Sequence, residues 1–322
     1  MALLRSAGGG RRLVAVGAVV ACAALAVPAV VHAVSDPPSH STGSTAASHS
    51  SAGSGRQPAR EPTSREKSLL FTADQILLRD CMARHGFVYL PVKENPVPDA
   101  REFPYVIDDV AWAREHGYGS DIQRALARVR ATDPNQLYFR ALPSGRRAAA
   151  LKAANGERME GVTAKAPDGM VAQRSSGGCQ SEADRTLYGN LQEWFQAKFT
   201  EDSLTGMRQS DVNGDPRFAE AVKPWAACMR KAGHPYPSPA RLRAQLPAPE
   251  HPLPRTEEVR LAVAEARCAI SSGLARTAEE LDRQYADKLR RQHRSAVETR
   301  LRLQHAALPR ARAVTWAAGT DS

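Results

Sequence analysis

The stretch Cys81-Met82-Ala83-Arg84-His85-Gly86-Phe87-Val88-Tyr89 is written a second time in this chain, as Cys228-Met229-Arg230-Lys231-Ala232-Gly233-His234-Pro235-Tyr236. Cys-Met, the glycine and the tyrosine keep their spacing in both copies, and Pro91 and Pro239 follow. Ahead of the first copy, Ile76, Leu77 and Leu78 lead to Cys81 at helical spacing. Ahead of the second, Phe218, Ala221, Val222, Trp225 and Cys228 do the same. A glycine just past such a stripe stops a helix, so each copy reads as the end of a helix running into an extended aromatic–proline segment. Thr72, with Gln75 three residues on, is the expected N-cap of the first helix.

Each copy has a further cysteine downstream, Cys179 and Cys268. Four cysteines allow three pairings, and spacing alone leaves all three open. The duplication favours Cys81–Cys179 with Cys228–Cys268, one bridge in each repeat. The expected fold is mainly α, a multi-helix domain built on two related disulfide-stapled halves, with a long C-terminal helix.

Working outward, Arg5, Arg11 and Arg12 precede an apolar run from Leu13 to Val31. Basic-then-apolar is the order of an export signal, and Val31-His32-Ala33 offers small residues for cleavage. The run is also nearly long enough to span a bilayer, so residues 1–34 read as a signal peptide or an N-terminal membrane anchor. Val19-Val20-Ala21-Cys22 is a loose lipobox, which makes lipidation at Cys22 a third reading. All three export the rest of the chain. An even cysteine set beyond an export signal agrees with disulfides. Residues 35–66 are rich in Ser, Gly and Pro and read as a disordered linker; His32, His40 and His49 are too scattered for a metal tract.

The expected divisions of the remainder are a first helical repeat with an insert over 67–214, a second repeat with the long C-terminal helix over 215–308, and a disordered tail over 309–322. Within the insert, short helices are expected near 108–117, 121–130, 137–142 and 144–155, then an exposed turn or hairpin over 162–178. A long helix should open at Cys179, and another at Thr277.

The 322-residue chain carries a net charge of +10. Loss of the three N-terminal arginines leaves about +7, which favours an anionic envelope component or an envelope protein as partner. No nucleic-acid motif accompanies the charge, so specific nucleic-acid binding is not expected.

The chain has no HExxH helix, phosphate loop, dinucleotide fingerprint or nucleophile elbow. Cys81 with His85, echoed by Cys228 with His234, is the nearest metal pattern, but cysteines in disulfides cannot ligate zinc. Neither a metal nor a cofactor is expected. Asp108-Asp109, and Glu182 with Asp184, read as charges favouring helix N-termini, and Glu115-His116 makes no convincing acid/base set. No catalytic residue is assigned. The aromatic residues carry more information: Tyr89, Trp112, Tyr118 and Tyr236 are the candidate binding surface, with core packing as their other reading.

Cys81-Met82…Gly86-Phe87, Asp109…Ala113-Arg114…Gly117-Tyr118, Gly178-Cys179…Glu182-Ala183…Leu187-Tyr188-Gly189, Trp225…Cys228-Met229…Gly233-His234 and Cys268 before Gly273-Leu274 together resemble a family of actinobacterial secreted, lipoprotein-like proteins. The resemblance covers roughly residues 70–300. It implies an envelope or extracellular protein of a GC-rich Gram-positive bacterium, and transfers no activity. The leading expectation is an exported, non-enzymatic binding module. The alternatives are a peptidoglycan hydrolase working through Glu115 or Glu182, and an accessory subunit of an envelope transporter.

Overall fold

The computed structural model describes residues 60–158, 160–248 and 251–320. The expected signal or anchor, Cys22 and the linker up to residue 59 lie outside the described residues. From Thr63 onward the chain is helical: α1 Ser64–Arg84, α2 Val110–His116, α3 Ser120–Ala131, α4 Pro134–Ala141 and α5 Ser144–Asn155 come first. A hairpin follows, β1 Gly161–Lys165 and β2 Val171–Ser175. Then come α6 Cys179–Tyr188, α7 Leu191–Gly214, α8 Pro216–Lys231, α9 Pro239–Gln245, α10 Arg255–Ser271, α11 Leu274–Gln292 and α12 Arg294–Thr320. The fold is mainly α, with two disulfides, Cys81–Cys179 and Cys228–Cys268.

The duplicated stretch builds the same local structure twice. α1 ends at Arg84 and α8 at Lys231, with Gly86 and Gly233 at φ of 75° and 83°. Phe87 N–H returns to the Met82 carbonyl at 2.9 Å, and His234 N–H to that of Met229 at 2.8 Å. This wrapped stop satisfies carbonyls that a helix end leaves open, and its left-handed residue suits glycine. The likeness ends there. Cys179 is the first residue of its helix, whereas Cys268 lies in the last turn of α10, so the partner helices meet the repeated helix by opposite ends.

Five expectations are corrected. α1 begins nine residues before Ala73, at a capping box in which Thr63 accepts from Glu66 N–H at 3.3 Å and Glu66 accepts from Thr63 N–H at 2.8 Å. Thr72 lies inside the helix, its hydroxyl donating to the Ser68 carbonyl. The last part of the 35–66 linker therefore belongs to the fold, with Pro62 buried. The helix opening at Cys179 breaks at Gly189, which takes a φ of 80°. The expected long C-terminal helix is present as α12, but the stretch from Thr277 onward is not one helix: α11 and α12 part at His293. Of the expected disordered tail over 309–322, residues 309–320 are helical, since α12 runs through Pro309 to Thr320; the last two lie outside the described residues. Ala307, Leu308 and Ala311 are buried against Leu70, Ala73 and Leu187. Burial on that scale offsets the helix bond that Pro309 cannot make.

The two halves are not spatially separate. α12 packs along α1, α6 and α7, and α2 packs on α10. In this second contact Val97, Ile107, Trp112 and Ala113 close over Ala262 and Ala266. Two buried glutamates on α10 fix it. Glu258 accepts from the N–H groups of Tyr118 and Ser120 and from the Ser120 hydroxyl, at 2.6 to 3.0 Å. Glu265 accepts from the Tyr118 hydroxyl at 2.6 Å and the Ile107 N–H at 3.2 Å. Burial pushes the Glu265 carboxyl up, and burial beside Glu265 pushes the Tyr118 phenol up.

The hairpin lies on α7. Gln192 and Gln196, one helical turn apart, each exchange two hydrogen bonds with alternate β1 residues, Thr163 and Lys165. The amide side chains thus act as a strand along an edge that would otherwise be open.

Candidate functional site

One face of α1 reads Lys67, Leu70, Phe71, Asp74, Gln75, Leu78 and Met82, at the three- and four-residue spacing that keeps side chains on one side of a helix. That face forms the wall of a cavity of about 500 Å³. Three other helices face it with the same periodicity: Gln180, Asp184 and Tyr188 on α6, Trp194, Lys198 and Asp202 on α7, Arg300 and Gln304 on α12. Tyr138 and Phe139 of α4, Ala150 and Ala154 of α5, Tyr89 of the α1–α2 connection and Arg174 of β2 add to the lining. The volume is that of a small-molecule site. The Cys81–Cys179 bridge ties the end of α1 to the start of α6, so two of these walls are covalently joined.

Aromatic rings form much of the surface. Tyr188 stacks on Trp194 with ring centroids 3.6 Å apart and planes within 11°. Burial pushes the Tyr188 phenol up, with further upward pressure from Asp184 and Asp74. The Trp194 indole N–H donates to Asp184 at 3.0 Å.

The charged groups divide sharply. Asp184 is paired with Arg174 at 2.5 Å, and the Arg174 guanidinium also lies over the Phe195 ring. Lys198 pairs with Asp202 at 2.5 Å, while Arg300 bonds Glu201 and lies 3.1 Å from Glu61. Asp74 forms no ion pair among the described residues, although the Arg174 guanidinium, paired with Asp184, pulls its carboxyl down in part. Its one hydrogen bond comes from the neutral Gln75 amide at 3.3 Å. Gln75 is itself held by the Tyr89 hydroxyl at 2.9 Å and Val92 N–H at 3.2 Å, both donating to its amide oxygen. Burial, reinforced by the negative charge of Asp184, pushes the Asp74 carboxyl up to about 6.

The residues singled out from sequence scatter. Tyr89 lines the cavity, but Trp112, Tyr118 and Tyr236 do not. Trp112 is buried against Phe103, its indole N–H donating to the Asp99 carbonyl at 3.0 Å. Tyr118 and Tyr236 pack on the core around α8 and α10. The acidic candidates are likewise dispersed. Asp109 caps α2 through Trp112 N–H and pairs with Arg101, Glu115 is exposed, and Glu182 pairs with Arg84 outside the cavity. Asp184, read as a helix-end charge, turns out to be a cavity residue. His85 lies close to both Cys81 and Cys179, but these sulfurs are joined to each other and offer no thiolate to a metal.

Asp74 was missed because the chain around it was read as the start of a helix, where an acid is unremarkable. With α1 extended back to Ser64, Asp74 stands in mid-helix on an apolar stripe between Leu70 and Leu78. A charge interrupting such a stripe was the available signal.

Comparison with protein-family models, with curated proteins and with solved structures returned no match. The site is therefore read on its own geometry.

Proposed function

We propose that this is an exported, non-enzymatic binding module of the cell envelope, and that its ligand site is the cavity between α1 and α6. The observation that carries the reading is the cavity itself: about 500 Å³, walled by aromatic rings, with one unpaired carboxylate at its side. Apolar surface supplies affinity and a few placed polar groups supply orientation, which is the usual composition of a ligand pocket. The two disulfides are consistent with life outside the cytoplasm. No helix among the described residues is long and apolar enough to cross a membrane. Attachment, if the chain is anchored, falls to the N-terminal segment.

The test uses a neutral fluorescent probe of apolar surfaces, N-phenyl-1-naphthylamine. The wild-type protein should enhance its emission saturably. Leu78→Trp installs the residue that the second half carries at the corresponding place, Trp225, and should abolish saturation while the melting temperature holds. Saturable binding unchanged in Leu78→Trp would remove the cavity from the proposal.

A second reading, peptidoglycan hydrolysis, has one observation in its favour: a carboxyl held up near 6 facing an ionised carboxylate in a cleft. Against it, Asp184 is committed on one oxygen to Arg174 and on the other to Trp194, which leaves it poorly placed to activate water. Glu115 and Glu182 are outside the cavity. Release of reducing ends from purified peptidoglycan, abolished by Asp74→Asn, would establish this reading over the first.

A further inference from the structure

Among the described residues, the charges around the cavity are paired with two exceptions. Arg174 is taken by Asp184, Lys198 by Asp202, and Arg300 by Glu61 and Glu201. Each pair cancels locally. What is left is Asp74, half-buried on the α1 wall, and Lys67 at the exposed rim. A carboxylate withdrawn from water and given only one neutral amide donor has unmet hydrogen-bonding capacity and an unmet charge. An anion entering the cavity would meet that carboxylate, and of the cationic groups in the lining only Lys67, out at the exposed rim, is uncommitted among the described residues. A cation would find the carboxylate without an ion pair, and its apolar body would find the stacked Tyr188–Trp194 rings on an adjoining wall.

We infer that the cavity takes an organic cation, an ammonium group on an apolar body, with the ammonium on the Asp74 carboxylate and the body against the Tyr188–Trp194 wall. This rests on the reading of the cavity as a ligand site. The ammonium supplies the donors that Asp74 lacks, and the pairing exchanges two desolvated charges for a charge-assisted hydrogen bond. Gln75, positioned by Tyr89 and Val92, holds the second carboxylate oxygen and so sets the direction from which the cation approaches.

The experiment compares three compounds with one apolar body: 4-phenylbutylamine, 4-phenylbutanol and 4-phenylbutyrate. Each is titrated calorimetrically at pH 7.5 into the full-length, disulfide-bonded protein. The amine should bind at least tenfold more tightly than the alcohol, and the carboxylate more weakly than either. Asp74→Asn should bring the amine down to the alcohol while leaving the alcohol unchanged. As a second measurement that needs no variant, the amine-to-alcohol ratio of the wild type should collapse at pH 5. There Asp74, with its carboxyl raised to about 6, is mostly protonated; the other charged groups in the lining are Arg174, Asp184, Lys198, Asp202 and Arg300, all in ion pairs, and Lys67 at the rim. A carboxylate that binds best, or an amine preference that survives both Asp74→Asn and pH 5, would overturn the inference. If alcohol and amine bind equally and both are lost in Leu78→Trp, the cavity is a ligand site but not a cation site. If none of the three binds, the reading of the cavity falls with it.

Discussion

Aligned on Cys81 and Cys228, the two repeated helices set Phe71 opposite Phe218, Asp74 opposite Ala221, Gln75 opposite Val222 and Leu78 opposite Trp225. The helix ends, the left-handed glycines and the returning N–H bonds match closely. The inner faces do not. In the second half, Trp225 is wholly buried among Met229, Leu242 and Leu274, with Ala221 and Val222 packed at the edge of a continuous core. In the first half the same positions hold a smaller apolar residue, an acid and an amide, and the space is a cavity. One scaffold is filled in the second half and left open in the first. The cap and the cysteine recur in both halves, while the residues one and two turns earlier decide whether the half is filled or open.

The strongest way to break that comparison is to empty the filled side. Trp225→Ala should cost about 4 kcal/mol in urea denaturation, the usual range for a large aromatic lost from a packed core. Leu78→Ala, which borders space already open, should cost about 2 kcal/mol, at the low end for its type. Equal losses would mean that both halves are packed alike.

The bridges come next. Replacing either cysteine pair by serine should destabilise the protein by about 3 kcal/mol. Only Cys81→Ser with Cys179→Ser should also weaken probe binding, because only that bridge joins two walls of the cavity. Titration of the naphthylamine probe into both double variants, below their melting temperatures, separates the two roles.

Asp74 gives a smaller and pH-dependent effect. The fold raises its carboxyl from 3.8 to about 6, so the folded state resists ionisation. That penalty is absent below about pH 4, grows as the pH rises through about 6, and is complete above it. Asp74→Asn should be neutral at pH 4 and stabilise by about 2 kcal/mol at pH 7.5, discounting for partial solvent access. A flat difference between the two proteins from pH 4 to 7.5 would show that Asp74 is not held in a desolvated state.

The smallest effect sharpens the likeness instead. Gly86 and Gly233 both have positive φ and no other atom within 4 Å of an added Cβ. Ala at either should cost about 1 kcal/mol, the backbone contribution alone, and the two losses should agree. Gly117→Ala should cost more, since its Cβ would stand 2.7 Å from the Glu258 side chain.

What was legible in the sequence follows the same division. The repeated cap could be read because its information is local: a helical stripe, a glycine, a proline. The bridge pairing followed from its duplication. α1 was begun too late because Thr63 and Glu66 lie where the composition still looks like linker, and only the capping box distinguishes them. α12 was ended too early because a proline usually closes a helix, and the burial of Ala307, Leu308 and Ala311 that overrides it is contributed by residues more than a hundred positions away. The cavity was hidden for the same reason. Its walls come from six helices and a strand, and no window of sequence contains two opposing walls. The aromatic residues drew attention by type alone, and of the four chosen only Tyr89 reaches the site.

The contact between α1 and α12 has a consequence for when this protein can become itself. Glu61 meets Arg300 across 239 residues of chain, and the Arg60 carbonyl meets His305. The first helix to emerge must therefore wait for the last. A chain partway through synthesis has no α12 to cover Leu70 and Ala73, and its cavity lacks one side. Contacts this distant in sequence close slowly, because the intervening chain must be ordered first. The polypeptide thus stays slack around α1 until α12 has been made, and the cavity gains its last wall only then.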